Sequence, residues 1–412
     1  MLNKPSVEIK NQFESKLWIG RVFGVATFDG KEINARLIFT VLMGTLEQVM
    51  HIKAIKENWS NIAYICNLMA IYCLVIQLLS RLGSKFIKSD ERVLPSLLNT
   101  VIKFYEREEK NHEYQTLLNK NIKFLENLLN GYLLFFFIIY CIPNPTAWVV
   151  SWYTGEYILF TPLCLPFLDS KTLFGYIVNS TLLVFYTFLV YFCFMTADIL
   201  FMFFVYQCVP MLDIYCLKLK KFGDDLVKVK NNKTIFKEIC ETSTSILEPI
   251  KMKKKKVKSE TKEIEDQLID FIQEFNVYNN YIKHATEFMK FTIFFALSMN
   301  SVAIAMSIII VLKYFKAIGG AVMLFLFFQV LMPCVQGFLI AHQKEKLLNE
   351  LYGFPIYELS KHKQKMFLQF IHLCQNSNEL KILIIGDVNM EIFTDVMNGA
   401  YSYLMFLLNF FK

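Results

Sequence analysis

The sequence predicts an all-α membrane protein with seven transmembrane helices, a cytoplasmic N-terminus, an extracellular C-terminus and a helical cytoplasmic region. Three observations carry this expectation. Apolar runs recur at 36–52, 61–82, 125–142, 173–207, 288–312, 317–341 and 386–411, and crossing a bilayer takes about 20 apolar residues. Only 19% of the 412 residues are charged and 55% are hydrophobic, against roughly 25% charged in an average soluble domain. Lys and Arg alternate from loop to loop: five in the N-terminal segment, nine in 81–123, fifteen in 215–287 and six in 342–385. The intervening loops hold only Lys53 and Lys56, then Lys171, then Lys313 and Lys316. Positive residues gather on the cytoplasmic side, so the N-terminus is inside. That excludes the layout of a G-protein-coupled receptor, whose N-terminus is outside.

The cytoplasmic segment 1–35 carries Lys4, Lys10, Lys16, Arg21 and Lys31 and lacks the apolar core of a secretory signal. Residues 36–214 hold spans one to four. The first is the weakest, interrupted by Glu47 and His51. The loop after it contains Asn58-Trp59-Ser60, a sequon on the expected outer side, which makes Asn58 a glycosylation candidate. The fourth apolar run is too long for one crossing, so its helix should continue to around Leu226.

Within 215–287, Ile264, Leu268, Phe271, Ile272, Phe275, Tyr278 and Ile282 recur at helical spacing. Spans five and six fill 288–341. In 342–385, Leu347, Leu351, Phe367, Phe370 and Ile371 repeat the helical pattern, broken near Pro355. These stripes suit a packed cytoplasmic bundle; helices lying on the membrane surface are the alternative. Between Lys251 and Lys258, six of eight residues are lysine. This run reads as a solvated, mobile linker able to touch anionic lipid, and nucleic acid is not an expected partner. The last span occupies 386–412.

The ten cysteines lie mostly in apolar runs and match no zinc or disulfide framework. Cys141 and Cys164 border one loop, with pairing and free thiols equally open. No phosphate-binding loop, catalytic triad or paired-histidine motif is present in the sequence, and its six histidines are scattered. No enzyme activity, cofactor or metal site is expected. The regular arginines of a voltage sensor, a potassium filter and a transporter-like repeat are also missing from the sequence. Asp198, near the inner end of the fourth span, is either functional or a polar contact.

Aromatic and polar residues cluster in the outer halves of the second, third, fourth and sixth spans: Tyr64, Asn67, Tyr72, Phe136, Tyr140, Tyr186, Tyr191, Phe192, Met323 and Phe327. An apolar pocket edged by hydroxyls would suit a small volatile molecule held by shape and dispersion. Each residue taken singly is better explained by packing against lipid or neighbouring helices, and only the clustering at one depth favours a pocket.

In the last span Asp395, Gly399, Ser402, Phe406 and Asn409 recur at spacings of four and three. That places a small and polar stripe on one face of an otherwise apolar helix. Such a stripe lines a pore when each subunit contributes one helix, with Phe406 as apolar constriction and Asn409 beside it. It equally glues helices together within a chain.

The C-terminal third carries Leu351-Tyr352-Gly353-Phe354-Pro355-Ile356-Tyr357-Glu358-Leu359, then Gln375, Glu391-Ile392-Phe393 and Ala400-Tyr401-Ser402-Tyr403. In these residues it resembles the insect odorant receptors. Further up, Leu165-Pro166-Phe167-Leu168-Asp169, Gly175-Tyr176 and Ala197-Asp198-Ile199-Leu200-Phe201 are similar to fly and mosquito members. The resemblance implies a tetrameric, ligand-gated, poorly selective cation channel in the plasma membrane of sensory dendrites. An odorant-specific subunit joins a common co-receptor subunit through a cytoplasmic anchor, here about 344–375. The gate position falls on Phe406, with Ser402 and Asn409 also in the pore. The co-receptor's long insertion in 215–287 is missing, so the chain is expected to be an odorant-tuned subunit. A gustatory receptor of the same superfamily is the alternative, and a transporter or scaffold a more distant one.

Overall fold

The structure, a computed structural model, describes residues 4–22, 35–57, 65–66, 68–70, 72–73, 75–77, 93–141, 143–157, 159, 163–165, 168, 171–242, 247–314, 317–377, 380–382 and 386–410. They are nearly all helical. In chain order the helices are α1 (Pro5–Val22), α2 (Ala35–Glu57), α3 (the short apolar Leu68–Gln77), α4 (Val93–Glu108), α5 (His112–Cys141), α6 (Pro143–Thr154) and α7 (Leu173–Tyr206). There follow α8 (Cys208–Thr242), α9 (Leu247–Tyr314), α10 (Ala317–Gly353), α11 (Lys361–Gln375) and α12 (Met390–Phe410). A two-stranded antiparallel hairpin, β1 (Lys381–Ile382) and β2 (Gly386–Asp387), leads into α12, pairing Lys381 with Asp387 and Ile382 with Gly386.

Five stretches among the described residues are long and apolar enough to cross a membrane: Ile38–Glu57, His112–Ile139, Leu173–Val229, Thr292–Leu312 and Val322–Gly353. They coincide with the first, third, fourth, fifth and sixth predicted runs. The second run lies partly outside the described residues. The seventh is α12, helical throughout, but Glu391, Asp395 and its polar stripe dilute its apolar character. The chain divides into two compact units, residues 1–206, 285–338 and 381–412 forming the first and 207–284 with 339–380 the second.

In the first unit α1 packs against α4, α5 and α7. Proline is the first residue of α1, where its missing N–H costs nothing. Ile9, Phe13 and Leu17, four residues apart, are buried, and the Phe13 ring meets Phe203 and Phe204 at 4.8 and 5.5 Å. The Ser6 backbone N–H and hydroxyl donate to Glu109 Oε2 at 3.1 and 2.8 Å, setting a carboxylate at the positive end of the helix. Gln12 donates to the Ile122 carbonyl at 3.4 Å and Lys16 to Asn130. The N-terminal segment, read in the sequence only for its charge and its lack of an apolar core, is therefore partly a docked helix.

In the second unit the predicted amphipathic face of α9 is the buried one: Leu268, Phe271, Phe275, Tyr278 and Ile282 are inside. Phe370 of α11 lies edge-on to Phe271 and Phe275 at 5.4 and 5.3 Å, a preferred aromatic geometry. Phe354 stacks between Phe222 and Phe367 at 5.1 and 4.5 Å. The expected break at Pro355 is a single 3₁₀ turn, Ile356–Glu358, after which α11 begins. Lys344 Nζ donates to the Gln375 and Ser377 carbonyls, both at 3.2 Å, closing the C-terminal end of α11. Lys218 pairs with Glu274 at 2.9 Å. The lysine run 251–258, expected as a mobile linker, is instead continuous helix inside α9. Lysine is a good helix former, and the helices on either side of the run propagate through it.

Candidate ligand and pore sites

The aromatic set predicted to hold a ligand falls into three places in the first unit. Tyr64 and Asn67 lie outside the described residues, as do Asn58 and the side chains of Tyr140 and Cys141.

The first group is a buried aromatic cluster. Phe136 of α5 is fully enclosed, edge-on to Phe325 of α10 at 4.8 Å and to Tyr132 at 4.3 Å. Tyr191 of α7 donates its hydroxyl to the Leu133 carbonyl at 3.0 Å, and its ring lies 5.1 Å from Phe192. Phe192 and Met323 are half-buried. Beneath this cluster runs a polar chain across five helices. Gln77 of α3 donates to Asn300 of α9 at 2.6 Å, and Asn300 to Gln329 of α10 at 3.4 Å. Gln329 donates to Asp198 of α7 at 3.5 Å, and Tyr132 of α5 to the same carboxylate oxygen at 2.8 Å. Asp198 is thus a polar contact holding helices together. The two longest links are at the weak limit of hydrogen bonding.

The second group sits where α2, α3 and α7 meet. Tyr186 is buried with Leu183 of α7, Leu68 of α3, Met50 and Ala54 of α2, and Leu163. Glu47 and His51, one turn apart on α2, lie on this same face and are 4% and 0% exposed. The His51 ring lies 6.4 Å from Tyr72. His51 Nδ1 faces the Glu47 carbonyl at 2.9 Å. That carbonyl can only accept, so Nδ1 carries the proton and Nε2 presents a lone pair. His51 Nε2, Glu47 Oε2 and the Tyr186 hydroxyl are all buried with no hydrogen-bond partner among the described residues. In the sequence Glu47 and His51 registered only as interruptions of a span. The signal that marks them is their four-residue spacing on the helix face of Met50 and Ala54, since ionisable groups at membrane depth are costly.

The third position is Phe327, turned to α12, its ring 5.4 Å from Phe393. On α12 itself, Ala400 and Leu404 are buried, and Leu404, Leu407 and Leu408 pack against Cys66, against Ala70 of α3 and against Ala305, Met306 and Ile309 of α9. Ser402, Phe406 and Asn409 are exposed, Phe406 to 66%. The Ser402 hydroxyl donates back to the Asn398 carbonyl at 2.9 Å. The stripe found in the sequence therefore faces outward from the chain. At its base, Asn389 Oδ1 accepts from the N–H groups of Glu391 and Ile392 at 3.0 and 3.1 Å, capping α12.

An open cavity of about 410 Å³ lies elsewhere, between α6 and the start of α7. Trp148, Trp152, Tyr157 and Tyr176 line it, and its hydroxyls pair internally, Tyr176 with Ser151 at 3.0 Å and Trp148 with Ser180. Trp and Tyr with such exposure fit the aromatic belt at a membrane interface. Among the described residues, none of the predicted ligand residues lines it. Among the described residues no group of three His, Cys, Asp or Glu side chains is arranged to hold a metal.

An all-helical membrane protein with an outward-facing polar stripe on its last helix is the class these features define. The sequence profile of the 7tm Odorant receptor family matches residues 93–401, and the chain belongs to that family. It is a receptor family, not an enzyme family. No curated protein matches the chain by sequence. The fold is similar to that of the insect olfactory receptor OR5 from Machilis hrabei, with a TM-score of 0.71 at 12% identity over 97% of this chain and 99% of that one. The same receptor in complex with eugenol gives a TM-score of 0.63 at 14% identity over 98% and 99%.

Proposed function

We propose that this chain is an odorant-tuned subunit of a ligand-gated, non-selective cation channel in the plasma membrane, with a small volatile organic molecule as ligand. One observation carries the reading: Ser402, Phe406 and Asn409 stand exposed on one face of α12 while its opposite face, with Ala400 and Leu404, is packed. An apolar ring at Phe406 flanked by polar residues is what a pore helix offers when several subunits each present one. The family membership and the eugenol complex of the Machilis hrabei receptor support a volatile ligand. The ligand site draws on the outer halves of the spans, including Tyr72, Phe136, Tyr186, Tyr191, Phe192, Met323 and Phe327. The assembly is a heterotetramer with a co-receptor subunit in contact with lipid, docked through the region around α11. The chain crosses the membrane seven times, with its N-terminus inside and its C-terminus outside.

The test is current in cells expressing this chain with a co-receptor subunit while a volatile panel is applied. Odorant-evoked current is expected. Phe406→Ala should leak at rest or shift ion permeability while surface delivery stays normal. Silence to the whole panel at normal surface density, or a Phe406→Ala variant with unchanged conductance, overturns the reading. An N-terminal epitope reached by antibody without permeabilisation overturns the topology.

A further inference from the structure

We infer that Glu47, His51 and Tyr186 form a polar binding point, and that the ligand group it takes is a hydroxyl. The inference rests on the reading of the chain as a receptor for small volatile molecules.

Three polar atoms, His51 Nε2, Glu47 Oε2 and Tyr186 Oη, are buried on one shared face of α2 and α7 with no partner among the described residues. Native proteins rarely leave such atoms unsatisfied, because each forfeits its hydration without return. The Tyr72 ring lies 6.4 Å from the His51 ring. Met50, Ala54, Leu68 and Leu183 pack beside them as apolar neighbours. An apolar wall with a few polar groups that fix orientation is what a small-molecule site uses.

Donor and acceptor roles select the ligand. His51 Nε2 accepts only, since Nδ1 holds the proton against the Glu47 carbonyl. Tyr186 Oη can donate. A hydroxyl donates to the first and accepts from the second, so both are answered by one neutral group. An ether accepts only and leaves Nε2 bare. An ammonium would require Glu47 to stay ionised in apolar surroundings, and burying charge costs far more than burying a dipole.

A homologous series of primary alcohols, the matching methyl ethers and the matching primary amines tests this. Two readouts are taken: evoked current, and thermal stabilisation of the purified full-length chain in detergent. Alcohols should act at roughly tenfold lower half-maximal concentration than their ethers, the worth of about one hydrogen bond. Tyr186→Phe, which removes the donor that hydroxyl and ether oxygens both accept from, should weaken alcohols and ethers alike and leave most of the gap in place. His51→Phe, which removes the acceptor that only a hydroxyl can meet, should erase most of the gap, and His51→Gln, which keeps an acceptor, should restore part of it.

Equal potency of alcohols and ethers, a gap that survives His51→Phe, a Tyr186→Phe variant that weakens neither class, or a preference for amines that depends on Glu47 overturns the inference. If volatiles evoke current without any preference for hydroxyls, the site falls and the receptor reading stands. If alcohols stabilise the purified chain through Tyr186 but no volatile evokes current, the site stands and the gating reading falls.

Discussion

Gly337 of α10 lies directly against the Val388 carbonyl oxygen: a Cβ built on Gly337 would sit 1.9 Å from that oxygen. The glycine lets the backbone between the hairpin and α12 press flat onto α10. Gly337→Ala must push that backbone away, and overpacking of this kind costs about 1–3 kcal/mol. A lowered melting temperature of the purified full-length chain is expected. Because the contact sits just before Asn389, ligand-evoked current should fall by more than the surface density does. An unchanged melting temperature would rule out this contact.

The cap at Asn389 makes a second, milder prediction. Asn389→Ala strips an acceptor from two N–H groups at the start of α12 and should cost about 1 kcal/mol, whereas Asn389→Asp should be tolerated. Hydrogen exchange of the first turn of α12 would read this as roughly fivefold faster exchange in the alanine variant. Equal exchange in all three chains would show that the cap does no stabilising.

Lys344 anchors the end of α11 from α10. Its ammonium is largely buried and donates to two carbonyls. Lys344→Met keeps the apolar stem and removes the donors, leaving the Gln375 and Ser377 carbonyls poorer by one charge-assisted bond each. The expected loss is about 1.5–3 kcal/mol, seen as faster proteolysis between α11 and the hairpin. A methionine variant as resistant as the parent would refute the cap.

Cys374 provides a pH test in the same unit. Burial pushes its thiol above the ordinary range, and the nearby Lys344 ammonium only partly opposes this. Folding therefore favours the protonated thiol. The stabilisation is complete below the unfolded pKa and is lost as pH rises from there toward the folded value. The second unit should weaken above about pH 9, near the reference thiol value of about 8.5. Cys374→Ala should flatten that decline, and maleimide labelling at Cys374 should be slow until the unit opens. Rapid labelling of the folded chain at neutral pH would contradict this.

Much of the architecture was legible because it obeys a single period. Leu268, Phe271, Phe275, Tyr278 and Ile282 follow helical spacing and are all buried, and Pro355 marks the break between α10 and α11. The stripe of Ser402, Phe406 and Asn409 was visible for the same reason, and its exposure follows from the packing of Leu404 opposite. What escaped lacks periodic contrast. Three residues, Ile9, Phe13 and Leu17, dock α1, too few to stand out among its charges. Hydropathy averages Glu47 and His51 into a weak span, so it hides that they share a face and are buried together. The lysine run deceived by composition: like charges suggest a solvated coil, yet the backbone of α9 runs through it.

The docking of α1 also sets an order of events during synthesis. The helix leaves the ribosome before α7, but the rings that receive Phe13 are Phe203 and Phe204, among the last residues of α7. Until α7 has been inserted, Ile9, Phe13 and Leu17 have no complete cradle and remain open to chaperones and proteases. Nascent chains arrested before α7 should be clipped within α1, and chains arrested well beyond it should be protected. The fate of α1 is thus decided late, only once α7 has been made.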